Sequence, residues 1–323
     1  MSLLMFRSEV KPFAMLKGLA TFVPGARHFT NRGTGGTGSA RYCYSVWLRH
    51  FVSSHRAGLL DRVETLGEFG PGDSIGAGLA ALLSGIPRYY ALDTKAHANS
   101  DANLEVFEEL VDLFSKRTPI PDAVEFPWIH PVLENYGFPA DLLTEDVLRD
   151  ALAPQRLEAI RKILREAGDG PAQGEVQIHY IAPWDDASLL AGESIDMIIS
   201  QAVMEHVNEV PAAYATMSRL LRRGGCMSHV IDYKSHGHTY RWNGHWAVSA
   251  STWKLVRGAR SYLINRWPHS AHIAEIKKNQ FRIAAVHEYR DEPLARNMLA
   301  REFRNLPDSD LSTAGAFIQA VKD

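Results

Sequence analysis

Leu66-Gly67-Glu68-Phe69-Gly70-Pro71-Gly72-Asp73-Ser74 sets a carboxylate and two closely spaced glycines behind a short β-like segment. Glycines at such a turn let the backbone bend sharply and approach a ligand with no Cβ in the way. Arg62 to Leu66 is predicted as a buried strand and Ile75 to Leu83 as the helix after it. The turn therefore falls at the carboxyl end of a strand, where open α/β sheets bind ligands. A dinucleotide turn of spacing G-x-G-x-x-G would need glycine at position 75, which is Ile75, and Glu68 would crowd a pyrophosphate. A cationic ligand suits the carboxylate better.

Downstream segments extend the pattern. Arg88 to Leu92 is predicted as a second strand ending at Asp93, about twenty residues past the glycines, where an acidic side chain accepts the two hydroxyls of a ribose. Helix capping is the competing use of such an aspartate. Val176 to Ala182 is predicted as a third strand and Ser194 to Ser200 as a fourth, followed by Gln201-Ala202-Val203-Met204-Glu205-His206-Val207. A helix ending Leu220-Leu221-Arg222-Arg223-Gly224-Gly225 leads into the strand-like Cys226 to Asp232.

In this order the segments resemble the class I S-adenosylmethionine-dependent methyltransferases over residues 60 to 115 and 176 to 323. The resemblance implies an α/β fold: a doubly wound, seven-stranded, mostly parallel Rossmann-like sheet with an antiparallel last strand. It also implies S-adenosylmethionine as cofactor. Glu68, Gly70, Pro71, Gly72, Asp73 and Ser74 would line its methionine end, Asp93 its ribose, and Ser200, Gln201 and Ala202 its sulfonium. No acid follows the third strand to read the adenine amine, so Trp184 is expected to stack on adenine with Asp185 as polar partner.

The flanks carry further expectations. Gly33 to Gly38 lacks the lysine of a phosphate-cradling loop, and with Arg41, Tyr42 and Tyr44 behind it reads either as a linker or as a mobile lid over the cofactor. Residues 1–45 are accordingly set apart from a methyltransferase domain at 46–323, with a proline-broken helical insertion at about 116–174 whose clearest part is a helix pair from Asp146 to Ala167. The insertion either shapes a substrate pocket or elaborates the flank of the sheet. At the C-terminal end, Ser270 to Asn279 is predicted as helix, Phe281 to Tyr289 and Ala314 to Val321 as strands.

The densest chemistry lies between His229 and Trp246, where four histidines and two tryptophans accompany Asp232. No H-E-x-x-H or similar fixed ligand pair is present, so no metal is expected. His206, His229 and Asp232 are the candidate base and its carboxylate partner, although residues three apart in a strand face opposite ways. Arg41, Tyr42, His236, His238, Trp242, His245 and Trp246 are expected to line a small, sugar-sized pocket, flat apolar faces and polar edges suiting such an acceptor. Plain packing and capping is the alternative for these side chains.

Composition narrows the partners. The 35 basic and 37 acidic residues leave a net charge of -2, giving no overall field toward nucleic acid. Apolar residues make up 46% of the chain, ordinary for a globular core, and the stretch Phe13 to Val23 is too short and too interrupted to span a bilayer. Cys43 and Cys226, the only cysteines, are expected as core thiols in a reducing, cytoplasmic setting. The expected activity is O-methylation of a small polar acceptor such as a sugar. A non-catalytic scaffold of the same fold and a nicotinamide oxidoreductase are the alternatives, the latter opposed by Ile75 and Glu68.

Overall fold

The computed structural model describes residues 9–23, 36–95, 100–166, 175–184, 191–260 and 262–323. In chain order its elements are α1 (Pro12–Ala20), α2 (Ala40–Arg56), β1 (Thr65–Phe69), α3 (Gly76–Leu83), β2 (Arg88–Leu92), α4 (Ser100–Ser115), α5 (Glu145–Ala151) and α6 (Pro154–Arg165). There follow β3 (Gln177–Ile181), β4 (Ile195–Gln201), α7 (Val210–Leu220), β5 (Leu221–Asp232), α8 (Ala250–Arg257), α9 (His269–Lys278), β6 (Phe281–Arg290), α10 (Asp308–Ser312) and β7 (Thr313–Lys322).

One sheet of seven strands in the order β3-β2-β1-β4-β5-β7-β6 holds these together. β1 to β5 pair in parallel, and β7 enters antiparallel between β5 and β6. The order reverses between β1 and β4, leaving a crevice at their carboxyl ends where ligands of such sheets bind. This is the fold expected from the resemblance. Core lies on both faces. Trp47, Leu48, Leu79 and Phe107 pack on one side, and Tyr214, Met217, Leu220 and Ile276 on the other.

Several boundaries move. β1 begins at Thr65 rather than Arg62, and Gly67 to Phe69 extend the strand instead of the turn, because every residue from Thr65 to Phe69 is buried between β2 and β4. Arg222 to Gly225, expected as the end of a helix, belong to β5, whose entry is irregular around Gly224 at φ +72°. The boundary drawn at residue 45/46 cuts α2, a continuous helix in which Tyr44, Trp47, Leu48, Arg49 and His50 are wholly buried. The predicted helix pair after residue 146 forms as α5 and α6, with Pro154 at the start of the second. They stand on the flank: the buried Arg156 donates to the carbonyl of Leu82 in the last turn of α3 and to that of Ile86 just after it, away from the carboxyl edge. Both cysteines are buried free thiols. Among the described residues no helix is long and apolar enough to cross a membrane.

Candidate functional site

The glycine turn leaves β1 with Gly70 at φ +66° and Gly72 at φ +81°, backbone conformations that side-chain-bearing residues rarely adopt. A Cβ on Gly70 would sit 2.6 Å from Val203, so the turn lies directly against the segment after β4. Thr37 closes the other side. Its hydroxyl accepts from the N–H groups of Asp73 (3.0 Å) and Ser74 (3.3 Å), and Asn103 Oδ1 accepts from Ile75 N–H at 3.0 Å. These bonds satisfy donors at the start of α3 that would otherwise face the crevice. Thr37 is thus docked on the turn; Gly33 to Gly35 lie outside the described residues, as does Asp185.

Glu68 is buried, and its carboxylate accepts from Tyr89 O–H at 2.5 Å. Burial pushes its pKa up to about 7, the Tyr89 and backbone hydrogen bonds opposing. It therefore props the turn from beneath, and its negative charge is only partly developed at neutral pH. Asp93 ends β2 with its carboxylate at the carboxyl edge, accepting from Thr94 N–H at 2.6 Å and Tyr180 O–H at 3.3 Å. Trp184 donates its backbone N–H to the Asp93 carbonyl and lies 5.5 Å from the Phe69 ring, on the rim of the same crevice.

Beyond β4, Ala202 at φ +52° turns the chain into a 3-10 turn at Met204–His206. Asn265 fastens this turn: its side-chain N–H groups donate to the carbonyls of Met204 and Val207, both at 2.8 Å, and its backbone N–H to that of Glu205 at 2.7 Å. Three residues earlier the Tyr262 hydroxyl meets Thr94 beside Asp93 at 3.0 Å. Tyr262 and Asn265 thereby reach the edge of the crevice on both sides. The sequence carries no pattern that singles out this segment.

Glu205, His206 and His236 converge at that edge, with donor atoms all within 4.8 Å of one another. Asp232 Oδ2 is 3.5 Å from His236 Nε2, and Glu205 Oε1 is 4.0 Å from the same nitrogen. Glu205 is only 3% exposed, and neither carboxylate oxygen closes a hydrogen bond. Burial, with Asp232 nearby, raises its pKa well above the carboxylate range. Burial lowers that of His206 to about 4. The structure sets His206, Asp232 and His236 side by side, whereas the sequence alone pairs Asp232 with His229; Glu205, unremarked in the sequence, completes the group. His238 is within electrostatic reach of both His236 and His206. Tyr42 is within reach of Glu68 and Glu205, which with burial raise its pKa.

Other expected site residues go elsewhere. His229 points to the opposite face of β5 from Asp232, is wholly buried against Tyr214, and bonds Ser200 Oγ at 2.7 Å; burial lowers its pKa to about 3. It cannot be the base facing an acceptor, and the Ser200 hydroxyl is spent on it. The Gln201 side chain turns the other way, to His50 at 3.2 Å. Trp242, His245 and Trp246 fold back into a satellite core: Trp246 packs with Leu294, Leu299 and Leu311, and its indole N–H donates to the Arg266 carbonyl at 3.0 Å. The His245 ring packs tilted against Trp246 at 4.8 Å, while the Trp242 indole donates to the Glu292 carbonyl. Arg41 is held by Glu125 in a two-point pair of 2.6 and 2.5 Å. These four do not line the crevice: hydrogen-bonding edges that suit an acceptor serve equally well to satisfy a small core.

A family model described as a methyltransferase domain matches residues 153–228, the stretch from α6 through β5 Ser228. That match takes in 76 of the 323 residues, and over them the chain is similar to this family. Among solved structures, an S-adenosylmethionine-dependent methyltransferase from Mesorhizobium loti is 15% identical, with a TM-score of 0.42 over 89% of this chain and 100% of that one. One from Methanosarcina mazei is 12% identical, with a TM-score of 0.41 over 83% and 96%. Phosphoethanolamine N-methyltransferase 2 of Haemonchus contortus, in complex with S-adenosyl-L-methionine, is 13% identical, with a TM-score of 0.40 over 88% and 57%. These likenesses are distant. No curated protein matches the chain.

Proposed function

We propose that this protein is an S-adenosylmethionine-dependent methyltransferase that transfers a methyl group to a hydroxyl oxygen of a small polar acceptor, with sugars and sugar-like metabolites in its range. The observation that carries the proposal is the contact of the glycine turn with Val203, which puts the cofactor crevice and the Glu205–His206–Asp232–His236 group side by side. S-adenosylmethionine supplies an electrophilic methyl carbon. Asp93, Gly70 and Gly72 form its cradle, with Trp184 at the rim, and two features fit the group: a carboxylate where a ribose diol needs acceptors, and a turn that keeps Cβ atoms out of the way.

The chain's own part is alignment, exclusion of water and removal of one proton. The acceptor O–H bond breaks as the oxygen–methyl bond forms and the carbon–sulfur bond opens, giving the methyl ether, S-adenosylhomocysteine and a proton. The buried carboxylate and paired imidazoles sit where that proton leaves. Calorimetric titration with S-adenosylhomocysteine and with NAD, followed by mass-spectrometric detection of methylated products from a panel of polyols, amines and thiols, tests the reading. Binding of NAD in place of S-adenosylhomocysteine, or methylation confined to amines or thiols, would overturn it.

A further inference from the structure

The geometry points to a divalent transition-metal site formed by Glu205, His206 and His236, with Asp232 in reach as a fourth donor. Three features distinguish this group from ordinary polar packing. Both oxygens of Glu205 are buried and make no hydrogen bond, although the backbone N–H groups of Glu205 and Asp232 lie near them. A buried carboxylate so placed is costly unless a counter-charge arrives. His206 Nδ1 is likewise buried and unpartnered, while the ring bonds the Tyr262 backbone through its other nitrogen. A metal-ligating histidine has this arrangement, one nitrogen fixed by a carbonyl and the other offered to the ion. His236, on a turn held at φ +49° beside Gly237, carries its ring to 5.0 Å from that of His206, at 76° between planes.

The distances are close to those of a bound ion. Ligand atoms at about 2.1 Å from one metal stand roughly 3 to 4 Å apart, and here they lie within 4.8 Å before any ion draws them in. Two imidazole nitrogens with one or two carboxylates select zinc, manganese, iron(II) or cobalt over magnesium, which takes oxygen ligands. The backbone is prepared, since Asn265 pins the turn that carries Glu205 and His206. The inference deepens the proposed function: an ion beside the methyl donor would bind the acceptor oxygen and lower its pKa, the hydroxyl proton passing to water. This site replaces the expectation, drawn from sequence spacing, that no metal binds. Fixed sequence spacings miss a site whose ligands come from two neighbouring strand ends.

The test is titration of chelator-treated, full-length protein with cobalt(II), read by its visible ligand-field bands, with zinc competition and elemental analysis of the protein as purified. One equivalent is expected to bind, with E205Q and H236A each weakening it at least tenfold and H287A, on β6, leaving it unchanged. S-adenosylhomocysteine binding and circular dichroism of each variant show whether it remains folded, and they judge the methyltransferase reading independently of the metal. No stoichiometric cobalt or zinc uptake by the parent would overturn the inference, as would parent-like affinity in folded E205Q and H236A.

Discussion

Asp93→Asn isolates the ribose contact from the fold. The backbone of residue 93 holds the sheet edge whatever its side chain, donating to the Ile181 carbonyl at 3.0 Å and accepting from Trp184 at 2.7 Å. Asparagine keeps the shape and one neutral acceptor, which can still take the Thr94 N–H now bound at 2.6 Å. What it loses is the charge on two hydrogen bonds to the ribose diol. Charge-assisted bonds contribute about 1.5–3 kcal/mol each against 0.5–1.5 for neutral ones, so the exchange should cost about 2–3 kcal/mol. That is roughly 30- to 150-fold in Kd. Isothermal titration with S-adenosylhomocysteine measures it, and urea denaturation of the free protein separates it from any loss of stability at this buried position. A Kd within threefold of the parent would refute the ribose assignment.

Trp246→Ala should behave as a core truncation, removing about 3–5 kcal/mol of stability because the indole is wholly buried against Leu294, Leu299 and Leu311; a selective rise in an acceptor's KM at unchanged stability would return the residue to the pocket. Acid should destabilise the protein through its buried histidines. His229, His245 and His272 have folded pKa values of about 3, below the unfolded value near 6.5. Between those values the unfolded chain binds protons that the fold refuses, so this stability is full above pH ~6.5 and is lost as pH falls, by about 1.4 kcal/mol per unit and histidine. His229→Asn should subtract one such proton from the slope of urea stability between pH 6.5 and 4, and an unchanged slope would show that His229 is charged in the fold.

The sequence by itself determined the sheet and set the glycine turn and Asp93 at one edge of its crevice. Gly70, Gly72 and Asp93 are legible because each is dictated locally: positive φ demands glycine, and a strand followed by an acid at the right distance places that acid on the same edge as the turn. β2, β3, β4 and β7 announced themselves through short apolar runs with turn residues at their ends. Tertiary structure decided everything that depends on which face a side chain takes or on which distant element it meets. Alternation along β5 sends His229 and Asp232 to opposite faces, one to the core against Tyr214 and the other to the crevice. Trp242, His245 and Trp246 looked like a pocket because indole and imidazole suit sugars, yet Leu294, Leu299 and Leu311 arrive from about fifty residues later to bury that cluster. Glu205 gave no signal at all. Its meaning arises only when β4 and β5 lie side by side in parallel, which carries His236 from beyond one strand to the residues beyond the other and leaves two carboxylate oxygens buried with no hydrogen-bond partner among the described residues.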